Sequence, residues 1–336
     1  MVNQKKYALE REPNKPKMMQ RFVSGACCDK RANHKLLRIQ RRIAALLNVP
    51  SNYHILLFDL NQVSAFDFFA CLKLKENTRC GFLDTGARSS SAIMKAKKSH
   101  EVEIVGSSKM SNYCYVAKAD WIPFNLSFLH LTSTNETEGN RNTKFPKIVT
   151  PQLLDMSSDL FSTKVHINHF SMIYALGDNQ IIPQNLCLII IQNRYLADVG
   201  HQLLTHPCLL GTCGQFAPGI FKSLFLFDHF LCELEKSEGV RGYRERFETL
   251  SKKLYKEIER NTKFCCLVNP EDRAVIAIRF TVKKGDDKLP FALHLDANDS
   301  NVVIWNAQGD FVVLLEKFPE KEIIKLIGLM QDFELK

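Results

Sequence analysis

The polar residues of this chain gather where apolar runs stop. Asp84-Thr85-Gly86, Asn135-Glu136-Thr137, Asp155 and Asp178-Asn179 each follow a short apolar stretch. In open α/β sheets, ligands sit at the carboxyl ends of the strands, so such clusters are the material of a binding site. An amine nucleophile is missing from that material. Schiff-base chemistry needs a lysine, and no lysine lies between Lys164 and Lys222. His166 and His169 are three apart beside Asp155 and Asp159, a spacing that can bind metal, but a loop-surface role competes because no helix presents them. His201, His206 and Cys208 would pair a thiol with an imidazole only if folding added an orienting third group. No P-loop, G-x-S-x-G or H-E-x-x-H pattern occurs.

The elements that must position these residues alternate along the chain. Residues 30–47 read as an amphipathic helix with Leu36, Leu37, Ile39, Ile43, Leu46 and Leu47 on its apolar face, ended by Pro50. Strands are expected at 54–60, 80–86, 101–105, 126–133, 148–158, 170–176 and 186–192, with helices at 63–74 and 89–99. Two helices, 220–236 and 241–261, precede strands near 264–268, 275–282 and 301–305 and a last helix at 319–333. Short strands that are apolar throughout imply an α/β fold with a mostly parallel sheet between helices, followed by a small α+β C-terminal domain. The expected division is a basic flexible arm (1–22), a large domain (23–240) and a small domain (241–336).

Composition narrows the class. The chain is 45% hydrophobic and 24% charged, ordinary for a globular protein. No apolar run reaches the roughly 20 residues of a membrane span, and MVNQKKYALE has no signal-peptide core. Eleven cysteines without C-x-x-C spacing read as reduced thiols, which points to the cytoplasm. Residues 1–42 hold twelve Lys/Arg against three Asp/Glu, the whole net charge of +9. That segment could make weak contact with an anion or nucleic acid, or could be a solvated tail and helix face.

Five stretches, in this order, resemble phosphoserine aminotransferase, a pyridoxal-phosphate enzyme of the serine pathway. They are LLNVPSNYHILLF (46–58), DTGARSSSAIMKAKK (84–98), STNETEG (133–139), LDMSSDLFSTKVHINHFSMIYA (154–175) and VNPEDRAVIAIRF (268–280). The resemblance covers roughly residues 23 to 333. It implies a large domain of the pyridoxal-phosphate-transferase type I kind, and a dimer, because the family's active site lies at a subunit interface. It also implies site residues. Asp155 matches the acid that pairs with the pyridine nitrogen, although a helix-start cap before Ser157-Ser158 is the plainer role. Thr137 matches a cofactor-contacting threonine, although it could be only a turn residue.

The same resemblance implies losses. The family's lysine loop, A-G-A-Q-K-N-x-G-P-A-G, corresponds to A-L-G-D-N-Q-I-I-P-Q-N at 175–185, so Asn179 occupies the lysine position. Asp178 replaces the glutamine beside the cofactor phosphate, and Asn61, after Leu60, replaces a glycine of the phosphate cup. Arg88 stands for the tryptophan stacked on the ring; it could instead bind an anion at the start of helix 89–99 or simply be solvated. Ala217-Pro218 stand for a partner subunit's phosphate contacts, and Cys27-Cys28 for a His-Arg pair that clamps substrate. No arginine follows Arg279, so the last segment has no guanidinium for a substrate carboxylate. The expectation is a degenerate member with no covalently bound pyridoxal phosphate, acting by binding, as a homodimer or with an active paralogue. The alternatives are an active phosphoserine:2-oxoglutarate aminotransferase of serine biosynthesis and a nucleic-acid-binding protein led by its basic segment.

Overall fold

The computed structural model describes residues 30–60, 79–119, 121–177, 181–206, 208–211, 220–283, 288–300, 302–306 and 309–335, with side chains from residue 33. Its first helix, α1 (Lys30–Leu46), buries Leu36, Ile39 and Ile43. Those positions are three and four apart and so share one face. Seven strands form the main sheet: β1 (Tyr53–Asp59), β2 (Arg79–Asp84), β3 (Glu101–Ser107), β4 (Leu129–Thr132), β7 (Gln152–Asp155), β8 (Met172–Leu176) and β9 (Leu186–Gln192). Between β4 and β7, β5 (Thr134–Asn135) and β6 (Asn140–Arg141) make a short hairpin.

The spatial order is β1-β9-β8-β7-β4-β2-β3. Strand β9 runs against both its neighbours, and the pairs from β8 to β3 are parallel. Successive residues of each strand feed opposite layers. Ile55, Leu57, Ile173 and Leu188 join the cluster under α1 and α4 (Ile220–Lys236). Leu56, Phe58, Tyr174 and Cys187 join the cluster under α2 (Ala87–Ala96) and α3 (Asn193–Leu204). Burial on both sides is why these strands read as unbroken apolar runs. The outer edge of β1 is covered by residues 208–210, with the Asp59 N–H donating to the Cys208 carbonyl at 2.8 Å and the Leu210 N–H to the Leu57 carbonyl at 2.9 Å.

Helix α5 (Gly239–Arg260) leads into a four-stranded antiparallel sheet, ordered β10-β11-β13-β12, from β10 (Phe264–Cys266), β11 (Ala277–Val282), β12 (Val303–Trp305) and β13 (Phe311–Leu314). Helices α6 (Leu289–Asp296) and α7 (Glu320–Glu334) complete its core, in which Phe264, Phe280, Phe291 and Phe311 are all buried. The β5–β6 hairpin, α3, α6 and β13 were not expected from the sequence. The expected helix at 63–74 and the arm at 1–22 lie outside the described residues.

This C-terminal layer is tied to the sheet's carboxyl edge. The Asn269 N–H donates to the Cys114 carbonyl at 2.8 Å, the Ala274 N–H to the Gly139 carbonyl at 2.9 Å, and the Val116 N–H to the Asp272 carboxylate at 2.9 Å. Arg279 on β11, 2% exposed, is the ionic part of the tie. Its Nε and Nη2 donate to Asp310 at 3.0 and 2.6 Å, and its Nη1 to the Asn112 carbonyl at 2.8 Å. Lys288 approaches the other Asp310 oxygen at 3.1 Å. Gly139 adopts φ +68° against this arginine, and a Cβ there would come within 2.9 Å of the Arg279 nitrogen. The left-handed turn and the close approach both favour glycine.

Candidate functional site

Strands β2, β4 and β7 end side by side, and the pairing register sets Thr132 against Asp155 and Asp155 against Tyr174. Asp84, closing β2, collects hydroxyls. Ser90 donates at 2.8 Å, Ser107 at 3.0 Å and Tyr113 at 3.2 Å. Next to it, the backbone N–H groups of Thr85 and Gly86 donate to the Ser89 hydroxyl at 2.8 and 2.9 Å, which shapes the entry to α2. Asn135 and Asn140, facing each other across the β5–β6 hairpin, reach back to Thr85 at 3.0 and 2.8 Å. A Cβ on Gly86 would lie 2.5 Å from Asn135, so this corner is closed at van der Waals distance.

Asp155, closing β7, is 4% exposed. One of its oxygens accepts the Ser157 N–H at 2.8 Å and the Ser157 hydroxyl at 2.5 Å. The Tyr174 hydroxyl also bonds this carboxylate and lies 2.7 Å from His130 Nε2. His130 is fully buried; burial pushes its pKa down to about 4, against the opposing charge of Asp155. Burial raises the Tyr174 hydroxyl well above its usual value, and Asp155 adds to the shift. The imidazole is therefore neutral and the phenol protonated. Asp159 is also buried and accepts from Ser133 at 2.7 Å and Thr134 at 2.8 Å; desolvation holds its carboxyl above the usual range despite those donors.

Arg88 is the second residue of α2, which begins at Ala87 and not at residue 89. A solvated arginine was one expectation, yet the side chain is only 14% exposed. Its Nε donates to the Ser158 hydroxyl at 2.6 Å and its Nη2 meets Glu136 at 3.3 Å. A cap on a helix start is also not what Asp155 provides, since turns and no helix follow it through Thr163. Thr137 stands in the β5–β6 turn, where its carbonyl accepts the Asn306 side-chain amide at 3.3 Å. Asn61, Asp178 and Asn179 lie outside the described residues, as do Cys27, Cys28, Ala217 and Pro218. Sequence reasoning missed His130, Tyr174 and Ser158 as members of this edge. The available signal was a histidine and a tyrosine interrupting otherwise aliphatic strands.

Other expectations separate here. The His166 and His169 rings are 5.5 Å apart and both exposed; no group of three metal-binding side chains occurs among the described residues. His206 Nδ1 accepts the Cys208 backbone N–H at 3.2 Å, while burial raises the Cys208 thiol pKa, the reverse of nucleophile activation. The basic face of α1 is not simply solvated. Lys35 at 3.3 Å, Arg42 at 2.7 Å and Arg38 converge on Asp228 of α4. No described helix is long and apolar enough to cross a membrane.

A pyridoxal phosphate would need an amine, a counter-ion for its ring nitrogen and an open face for its ring. Asp155 is of the right type for the nitrogen. Strands β8 and β9 pair without a register shift from Met172–Ile191 to Leu176–Cys187. Their connection is thereby confined to residues 177–185, in which the sequence has no lysine. Every lysine whose side chain is described is at least partly exposed; Lys35, Lys263 and Lys288 are the least so. The Arg88 guanidinium lies at the same strand ends, against Ser158 and Glu136, where a cationic ring would meet like charge.

No family model matches the sequence. Among curated relatives, the phosphoserine aminotransferase of Flavobacterium johnsoniae is 29% identical over 70% of this chain; the chain spans 64% of that relative's length, under two thirds. That of Parabacteroides distasonis is 28% identical over 87% of this chain and 84% of its own. The fold is shared with the phosphoserine aminotransferase of Bacillus circulans subsp. alkalophilus, at a TM-score of 0.78 and 20% identity over 93% and 89% of the two chains. It is shared too with the pyridoxal-phosphate-bound enzyme of Trichomonas vaginalis, at a TM-score of 0.77 and 17% identity over 92% and 91%. The sheet order, the strand-end carboxylate and these relatives agree: this chain is similar in sequence to phosphoserine aminotransferases and shares their fold.

Proposed function

We propose that this protein is a phosphoserine-aminotransferase-like pseudoenzyme, a cytoplasmic chain that acts by binding, either as a homodimer or with an active paralogue. One observation carries the reading. The β8–β9 connection, where the family's lysine belongs, is bounded by slip-free pairing and contains no lysine, so no shift of alignment supplies the amine. Asn179 holds that position, and an amide nitrogen forms no aldimine. The substrate side supports the same reading. Arg279 is the last arginine of the chain, and its guanidinium is engaged by Asp310 and the Asn112 carbonyl. Free thiols at Cys80, Cys114, Cys187 and Cys208 suit a reducing compartment.

The test is borohydride reduction of protein incubated with pyridoxal phosphate, read by peptide mass spectrometry beside a phosphoserine:2-oxoglutarate assay. The expected result is no pyridoxyl-lysine in the cleft and turnover at background. A stoichiometric adduct at one lysine, with turnover, makes the protein an ordinary serine-pathway transaminase and ends this reading.

A further inference from the structure

We infer that Arg88 is a built-in cation that straps the strand ends beside Asp155 together and so excludes a pyridinium ring, making the cofactor-free state the working folded state. The inference rests on the lysine-free reading above but concerns a separate property, the non-covalent occupancy of the cleft.

Topology makes the first argument. Arg88 follows β2, Glu136 follows β4 and Ser158 follows β7, and these three strands are adjacent in the order β7-β4-β2. One guanidinium, donating to Ser158 at 2.6 Å and Glu136 at 3.3 Å, thus joins the ends of three neighbouring strands across the middle one. Its partners are 70 and 48 residues away in the chain, so the strap forms only when the sheet does. Charge makes the second argument. Ser158, which Arg88 holds at 2.6 Å, follows Ser157, whose N–H and hydroxyl bond Asp155, so the guanidinium and the carboxylate flank one turn. Arg88 there supplies the positive charge that a protonated ring nitrogen would otherwise bring. Capacity makes the third. Asp155 already takes two donors from Ser157 and one from Tyr174, so a ring nitrogen would compete with donors of the chain itself.

Thermal melting of the intact protein tests this. A ligand that binds only the folded state raises the melting temperature by mass action. Pyridoxal phosphate and pyridoxamine phosphate are expected to leave the wild-type midpoint unmoved up to millimolar concentration. Arg88→Ala is expected to melt several degrees lower, and low-millimolar methylguanidinium to restore much of that loss, whereas methylammonium at equal concentration does not. A general packing defect would not distinguish the two cations. A saturable rise in the wild-type midpoint with pyridoxal phosphate, with no adduct trapped by borohydride, overturns the strap while leaving the pseudoenzyme reading intact; a trapped adduct overturns that reading instead. Equal rescue by the two cations, or none, removes Arg88 as the strap. Should Arg88→Ala not fold, the wild-type titration still decides, and Arg88→Lys, which keeps the charge but cannot span both partners, is expected to show a partial loss.

Discussion

Two ionic regions lie within one chain's reach of each other, and they are built differently. At the sheet edge, charges are held by hydroxyls and by one ion pair open on one side: Glu136 is 32% exposed and Arg88 14%. At the junction with the C-terminal layer, Arg279 is 2% exposed and forks onto a single carboxylate, with Lys288 as a second cation. The edge tolerates water and exchange of partners. The junction does not, because a buried charge without its partner is far more costly than an exposed one. The fold is fastened most firmly at the junction, away from the sheet edge.

The sharpest way to break this contrast is to cut the junction. Arg279→Met leaves the buried Asp310 with Lys288 alone, and removes the donor to the Asn112 carbonyl beside Tyr113, a residue held at φ 58°. The expected cost is about 3–5 kcal/mol of folding stability, read as a drop in the urea midpoint. Arg88→Met at the edge should cost visibly less. If the two variants melt alike, the distinction between the regions is lost.

Acid comes next in size and probes the edge from below. His130 has a folded pKa of about 4 against about 6.5 when unfolded. The unfolded chain therefore binds a proton first, and stability falls as pH drops from about 6.5 to about 4, by roughly 3 kcal/mol in total. His130→Gln should flatten that part of the stability–pH curve relative to wild type. Parallel curves would mean that the imidazole is charged in the fold, and that the Tyr174–Asp155 chain is wired differently.

How far these regions were legible differs in the same way. The strands of the sheet announced themselves because both faces are covered, so Leu186 to Ile191 is simply apolar. Helix α3 was missed although Tyr195, Leu196, Val199 and Leu203 have helical spacing, because it follows β9 without a turn signal. Strand β13 and helix α6 were too short to stand out from their neighbours. At the edge, Asp155 and Arg88 could be singled out by type and by resemblance. Glu136 was singled out only as part of a strand-end cluster and not as a partner of Arg88, and Ser158, His130 and Tyr174 were not, since they come from different strands. The junction was wholly hidden: Arg279 reads as one more charge, and only the pairing of β11 with β13 and the turn before β13 bring Asp310 to it.

The smallest effect belongs to a third arrangement, intermediate between the other two. Asp228 is buried and receives Lys35, Arg38 and Arg42 together. Burial alone would raise its pKa, yet hydrogen bonds from Arg38 and Lys35 outweigh it and hold the carboxyl below its usual range. Three cations around one acid make any single cation dispensable. Arg38 is 45% exposed and screened by water, so Arg38→Gln should cost less than about 1 kcal/mol. Asp228→Asn, which leaves three cations without their acid, should cost more than the loss of any one of them. Denaturant midpoints of the two variants, at low and high salt, test the ordering. A loss at Arg38 as large as that at Asp228 would show one cation doing the work of three, and would place this helix pair with the junction instead of with the solvent-facing edge.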